Sequence, residues 1–330
     1  MATIQEVAKE AGVSVATVSR VLNKHASVSP KTRAKVEKVI ERLQYNPNML
    51  GRNLRCAESR MLLVLVPSIS NPFYSKIVQG IEDVARRHQY NTLLCTTDSD
   101  VEREKVYLDL LRNRMADGVI SMDPAIDLEN IRQLGDEYPL IQCCEYSESD
   151  QTPYVSIDNQ TAAYKAVKHL LLMGHKKIAI INSDERFLYA RHRQEGYLRA
   201  LREFGLPVED RYILHTDLHF ESGHRAMKTL LALPDRPTAV FAVSDTLAIG
   251  ALRSIKEAGL TVPRDMAVVG FDNIPFASMM NPSLTTVAQP MYEIGCEAAR
   301  MLIRRIASPG ERVESVVLDY ELLIRESTMG

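Results

Sequence analysis

Eight short apolar runs recur between residues 61 and 272, with amphipathic stretches between them. They are MLLVLVPS (61–68), NTLLCTT (91–97), GVISMD (118–123), LIQCCE (140–145), KKIAIIN (176–182), YILHTD (212–217), TAVFAV (238–243) and MAVVGFD (266–272). Strands that read as unbroken apolar runs are covered on both faces, as in parallel sheets wrapped by helices. Strand and helix patterns in alternation specify βαβ units and hence doubly wound parallel sheets. Eight strands would make one unusually large sheet, so the count suits two similar subdomains.

The first sixty residues have a different texture. They carry 11 Lys+Arg against 5 Asp+Glu, whereas the remainder carries 29 against 37. A basic head on an acidic body fits a polyanion-binding module joined to something else. Thr3 and Glu6 have capping-box spacing, and Ile4, Val7, Ala8 and Ala11 form an apolar stripe. Gly12 ends that helix and Ser14 can cap a second, in which Val18, Val21 and Leu22 face inward. A third starts at Ser29-Pro30, with the stripe Val36, Val39, Ile40 and Leu43. Two short helices joined by a tight turn and braced by a third form a helix-turn-helix, whose second helix enters the major groove of double-stranded DNA.

On that helix Ala16 and Arg20 are four residues apart, on one face. Arg20 can donate two hydrogen bonds to guanine O6 and N7, while Val15 and Ala16 can touch only apolar surface such as a thymine methyl. Thr17, Ser19 and Asn23 are natural phosphate ligands. With Thr3 and Ser14 at the helix starts, these residues make up the expected DNA-contacting set of the head. The alternative reading is a plain three-helix bundle with Arg20 on its surface.

The sequence MATIQEVAKEAGVSVATVSRVLN resembles the head of the lactose-repressor family of bacterial transcription regulators. The likeness continues through 45-YNPNMLGRNLR-55, 70-SNPFYSKIVQGIE-82, 270-GFDNIPF-276 and 284-LTTVAQPMYEIG-295. The stretches 51-GRNLRCAESR-60 and 320-YELLIREST-328 are particularly similar to a nucleoside-responsive member. The resemblance implies a helix-turn-helix over 1–46, a hinge helix or linker over 47–60 and a two-lobed effector-binding and dimerising body over 61–330. Within the body it implies one lobe of about 61–160 plus 291–322 and another of about 161–290, like periplasmic sugar-binding proteins. It also implies that Leu54, with Arg55 beside it, wedges into the minor groove when the hinge folds on DNA, a kind of contact that bends the duplex.

Ligands of such sheets bind beyond the carboxyl ends of the strands. After the first strand, Asn71-Pro72 starts a helix whose apolar stripe includes Tyr74, Ile77, Val78, Ile81 and Val84. Phe73 falls off that stripe, toward a cleft, and Tyr74 reads equally as core or as cleft. Asp272 ends the run MAVVGFD as a carboxylate able to accept from two hydroxyls. By resemblance, Arg193 matches the family's ligand-gripping arginine, and Tyr189 and Leu218 occupy positions that vary with ligand. Ser244 and Asp245 follow another strand, where Asp245 has the alternative of capping the next helix. One departure stands out: Cys144, followed by Glu145, occupies a position where many relatives have aspartate or asparagine.

No glycine fingerprint, phosphate-binding loop, HExxH or GxSxG pattern occurs, so no enzyme chemistry, cofactor or metal is expected. Five cysteines without a CxxC indicate neither a disulfide framework nor a zinc finger. The absence of a membrane-length apolar run and of a signal-peptide pattern points to the cytoplasm. The sequence is therefore expected to encode a homodimeric, ligand-responsive repressor of a palindromic operator, switched by a nucleoside or sugar, with a protein co-regulator left open. The competing classes are a solute-binding receptor and a Rossmann-type enzyme without a DNA role.

Overall fold

A computed structural model describes residues 2–22, 25–45, 58–122, 134–148 and 151–329. Asn23, Leu54 and Arg55, and most of the expected hinge, lie outside the described residues. The chain forms two compact units, residues 1–59 and 60–330.

The first unit holds helices α1 (Ile4–Ala11), α2 (Val15–Leu22) and α3 (Pro30–Arg42). Thr3 and Glu6 close a reciprocal capping box: the Glu6 N–H donates to the Thr3 hydroxyl at 3.3 Å, and the Thr3 N–H donates to Glu6 Oε2 at 2.7 Å. Gly12 ends α1 at φ 62°, a left-handed conformation that glycine adopts without strain. Ser14 accepts the Thr17 N–H at 3.2 Å and so starts α2. Val7, Ala8, Ala11, Val18, Val21, Val36 and Val39 make the buried core.

The second unit contains two six-stranded sheets. The first has strand order β11-β5-β4-β3-β1-β2, from β1 (Met61–Val66), β2 (Asn91–Thr96), β3 (Gly118–Ser121), β4 (Leu140–Cys143), β5 (Tyr154–Ile157) and β11 (Val316–Leu318). The second has order β12-β10-β9-β8-β6-β7, from β6 (Ile178–Asn182), β7 (Ile213–His215), β8 (Ala239–Ala242), β9 (Ala267–Asp272), β10 (Thr285–Ala288) and β12 (Glu321–Leu323). Pairing is parallel except between β10 and β12. The body is thus an α/β fold of two doubly wound lobes.

Helices α4 (Pro72–Arg87), α5 (Val101–Arg112) and α11 (Met291–Ala307) pack with the first sheet. Helices α6 (Asn159–Leu172), α7 (Leu188–Glu203), α8 (Phe220–Leu231) and α9 (Asp245–Glu257) pack with the second, and the short α10 (Pro275–Met279) follows β9. The chain passes between lobes after β5, after β10 and again between Leu318 and Glu321. Residues 321 and 322, assigned to the first lobe from sequence, therefore pair in the second sheet. At the α4–α11 crossing the backbones nearly touch. A Cβ on Gly295 would stand 2.0 Å from the Ile77 carbonyl oxygen, and one on Gly80 would stand 2.2 Å from that of Tyr292. Only glycine permits that approach.

Candidate DNA-reading face and effector cleft

Within the head, the buried positions of α2 are Val18 and Val21. Ala16 and Arg20 are exposed, as the helical period requires for residues four apart on the opposite face. Among the described residues no side-chain partner engages the Arg20 guanidinium. Val15 is less available than the sequence pattern suggests, since it is half-buried against the head's core. Thr17 shares a 2.9 Å hydroxyl contact with Ser14, and Ser19 is half-buried. Arg33 is committed to the head itself, donating to the His25 carbonyl at 2.9 Å and the Val21 carbonyl at 3.4 Å.

In the second unit Phe73, Tyr74, Tyr189, Arg193, Leu218, Ser244 and Asp272 all line one cleft between the lobes. The cleft is narrow and partly open to solvent. Five further residues that the sequence reading did not single out as ligand-binding complete the lining: Asn71, Met122, Glu145, Asn159 and Gln289, with Cys144 beside them. Every lining residue lies at or just past the carboxyl end of a strand, or on the helix that follows it. Strand-end position is the signal that could have found them.

The aromatic wall comes mainly from α4. Asn71 Oδ1 accepts the Phe73 N–H at 3.0 Å, which fixes the first turn. Phe73 is buried and Tyr74 half-buried, with ring centroids 5.2 Å apart and edge to face. Tyr189 donates its hydroxyl to Ser183 Oγ at 3.0 Å and stacks on Phe187 toward the mouth of the cleft.

The polar wall is built around Arg193, which is buried on α7. Its guanidinium lies 3.6 Å from the Phe271 ring centroid, its Nε donates to Asn159 Oδ1 at 3.0 Å, and its Nη1 donates to the Val243 carbonyl. Asp272 Oδ1 is 3.9 Å from Nη1 and accepts from Gln289 Nε2 at 2.8 Å. Burial lowers the Arg193 pKa against the opposing pull of Asp272, and burial raises the Asp272 carboxyl despite Arg193. The backbone of Asp272 has φ 118° and that of Asn273 φ 59°, so the loop is held in a costly conformation. Asp245 helps to hold it. Fully buried and absent from the cleft lining, it accepts the Ile274 N–H at 2.8 Å and the Thr286 hydroxyl at 2.6 Å. Burial raises its pKa, and the charge of Asp272 adds to the effect. Ser244, beside it, caps α9 by accepting the Leu247 N–H at 3.3 Å while also facing the cleft.

Glu145 bridges the lobes. It follows β4 of the first sheet, yet its carboxylate accepts the N–H groups of Leu188 and Tyr189, the first two residues of α7 in the second lobe. The N-cap residue of α7, Phe187, supplies no side-chain hydrogen bond of its own. Burial raises the Glu145 pKa from 4.5 to about 7, against the two N–H donors and Arg193. Cys144, just before it, has φ 68°, which turns the chain so that Glu145 points across the cleft.

Residues 59–326 match the model for periplasmic binding proteins and the sugar-binding domain of the LacI family, and residues 3–48 match that for bacterial regulatory proteins of the lacI family. The chain belongs to the LacI family. The HTH-type transcriptional repressor CytR of Escherichia coli (strain K12) is 41% identical over 328 residues, covering 99% of this chain and 96% of that protein. A crystal structure of the lac repressor dimer bound to operator and the anti-inducer ONPF is 28% identical, with a TM-score of 0.89 over 100% of this chain and 99% of that one. A LacI-family regulator from Enterococcus faecium with bound ribose is 33% identical, with a TM-score of 0.74 over 81% of this chain and 98% of that one. As a member of the LacI family, the protein is a ligand-responsive, DNA-binding transcription regulator. Among the described residues, no helix is long and apolar enough to cross a membrane.

Proposed function

We propose that the protein is a homodimeric repressor that reads a palindromic operator with Ala16 and Arg20 and is released from it when a nucleoside or sugar enters the cleft. The observation that carries the effector reading is the buried Arg193–Asp272 couple facing the aromatic side chains of Phe73, Tyr74 and Tyr189. A charged donor beside a carboxylate acceptor suits vicinal hydroxyls, and aromatic faces suit the ring that carries them. The ribose seen in the Enterococcus faecium relative supports a pentose, and likeness to a nucleoside-responsive member favours a nucleoside.

Arg20 donates to a guanine and Ala16 contacts the neighbouring base pair, which suits AACG/CGTT half-sites about a central CG step. Leu54 and Arg55 act at that step in this reading, and Asn23, Thr3, Ser14, Thr17 and Ser19 hold the phosphates. A second copy of the chain places a second head one helical turn away. Closure of the lobes on ligand changes the spacing of the paired hinge segments, and a ligand that prefers the closed state shifts the protein away from DNA.

Thermal unfolding against a panel of nucleosides, purine bases, pentoses, hexoses and sugar phosphates tests the effector. A cognate ligand at a hundred times its Kd stabilises by about 2.7 kcal/mol. A shift with cytidine or another nucleoside alone supports the nucleoside reading, and a shift with a hexose alone refutes it.

A further inference from the structure

Glu145 departs from what a hydroxyl-binding cleft needs. Among the described residues lining the cleft, Arg193 is the one cation, and two of its N–H groups are committed to Asn159 and Val243. The other place where an anion could be received is the start of α7. Its free N–H groups and positive helix end form the kind of site that binds phosphates and carboxylates. That position is occupied from within. The carboxylate of Glu145 reaches across from the opposite lobe and is buried on the N–H groups of Leu188 and Tyr189. Asp272 adds a second acidic group on the same cavity.

We propose that Glu145 is a specificity-determining residue that makes the cleft refuse anionic ligands by holding the α7 amides with its own carboxylate. The proposal rests on the reading of this cleft as the effector site and narrows the effector to an uncharged hydroxylated ring. A phosphorylated sugar or a nucleotide would have to displace Glu145 and then sit beside two carboxylates, with Arg193 the one cation among the described residues lining the cleft. A neutral ribose or nucleoside leaves the cap in place and uses Arg193, Asp272 and the aromatic wall. The same contact ties the lobes together, since the donor amides and the acceptor belong to different sheets.

The test compares the full-length wild type with Glu145→Gln and Glu145→Ala, using inorganic phosphate against chloride at matched ionic strength and following the unfolding midpoint of the body. Any phosphate taken up by the basic head is common to all three proteins, so the readout is the difference between each variant and wild type. Phosphate is expected to raise the midpoint most in Glu145→Ala, where the α7 amides are vacated, and less in Glu145→Gln, whose amide oxygen still accepts from them but carries no opposing charge. The glutamine variant is isosteric and guards against a folding defect in the alanine one. An equal response in all three folded proteins overturns the proposal. A second arm measures ribose against ribose 5-phosphate, and cytidine against its 5′-monophosphate, by calorimetry. Wild type is expected to favour the neutral member at least tenfold and Glu145→Gln to narrow that gap; preference of wild type for the phosphorylated member overturns the proposal. If wild type binds neither pair, the nucleoside-or-pentose reading fails, and the phosphate arm still decides the role of Glu145.

Discussion

Replacing Arg20 with alanine separates reading from folding. The Arg20 side chain is exposed and, among the described residues, engages no side-chain partner, while α2 is held by Val18, Val21 and the Ser14 cap. A surface change of this kind alters stability by no more than about 0.5 kcal/mol. Its cost therefore appears on DNA. A bidentate contact to guanine contributes about 1–3 kcal/mol of discrimination. A dimer on a palindrome loses it twice, about 2–6 kcal/mol, so affinity falls at least about 30-fold. The assay is fluorescence anisotropy with a duplex carrying inverted AACG and CGTT half-sites about a CG step. A second duplex with the guanine pair exchanged in each half-site completes a double-mutant cycle. The wild type should discriminate strongly between the duplexes and Arg20→Ala hardly at all. Because the contact is to a base, the salt dependence of binding should be nearly unchanged. Equal losses on both duplexes, or a lowered unfolding midpoint for the head, would refute the base assignment.

Other perturbations probe the body. Gly295→Ala places a methyl 2.0 Å from the Ile77 carbonyl oxygen and should destabilise by about 1–3 kcal/mol or more by forcing α4 and α11 apart; an unchanged urea midpoint would show that the crossing is not close-packed. Glu145 has its folded pKa raised from 4.5 to about 7, so its stabilising contribution is complete below about pH 4.5 and is lost as pH rises through about 7. Glu145→Gln does not titrate. Its stability relative to wild type should climb between about pH 5 and about pH 8, by at most about 3.4 kcal/mol at 1.36 kcal/mol per pK unit; a flat difference would mean that Glu145 is ionised at little cost. Arg193→Ala should abolish ligand-induced stabilisation of the body while leaving operator binding by the ligand-free protein unchanged, and a variant that still melts higher with ligand would remove Arg193 from the site.

How much of this could be read from sequence depended on where each signal sits. The eight apolar runs announced β1–β4 and β6–β9; strands covered on both faces, such as β1, β8 and β9, need apolar residues throughout, whereas the edge strands β2 and β7 are partly exposed. Strands β5, β10, β11 and β12 were not announced. Two of them carry serine or threonine, whose hydroxyls find partners far along the chain. Thr285, for instance, donates to the Arg325 carbonyl at 3.1 Å, forty residues away. In the cleft, Phe73 betrayed itself by falling off the α4 stripe, and Asp272 by standing at a strand end. Arg193 had no local signal; it was reached through likeness to a family, because its partners Asn159, Val243 and Asp272 come from three other segments. Glu145 could not have been assigned its role from local pattern, since the amides it caps lie 43 and 44 residues on, in the other lobe. Asp245, read from sequence as a cleft position or a helix cap, is absent from the cleft lining and instead pins the loop that carries Asp272.

The central claim is that a ligand held by Arg193 and Asp272 governs the hold of the head on DNA. Its most direct test is the Kd for the AACG/CGTT duplex with and without the ligand identified by the thermal panel, in wild type and in Arg193→Ala. Coupling of about 1–3 kcal/mol between two sites corresponds to a five- to 150-fold change in affinity. Ligand should weaken operator binding by wild type within that range and leave Arg193→Ala, which binds the operator as tightly as ligand-free wild type, unaffected. An operator affinity that ignores ligand in wild type, or that responds equally in the variant, would contradict it.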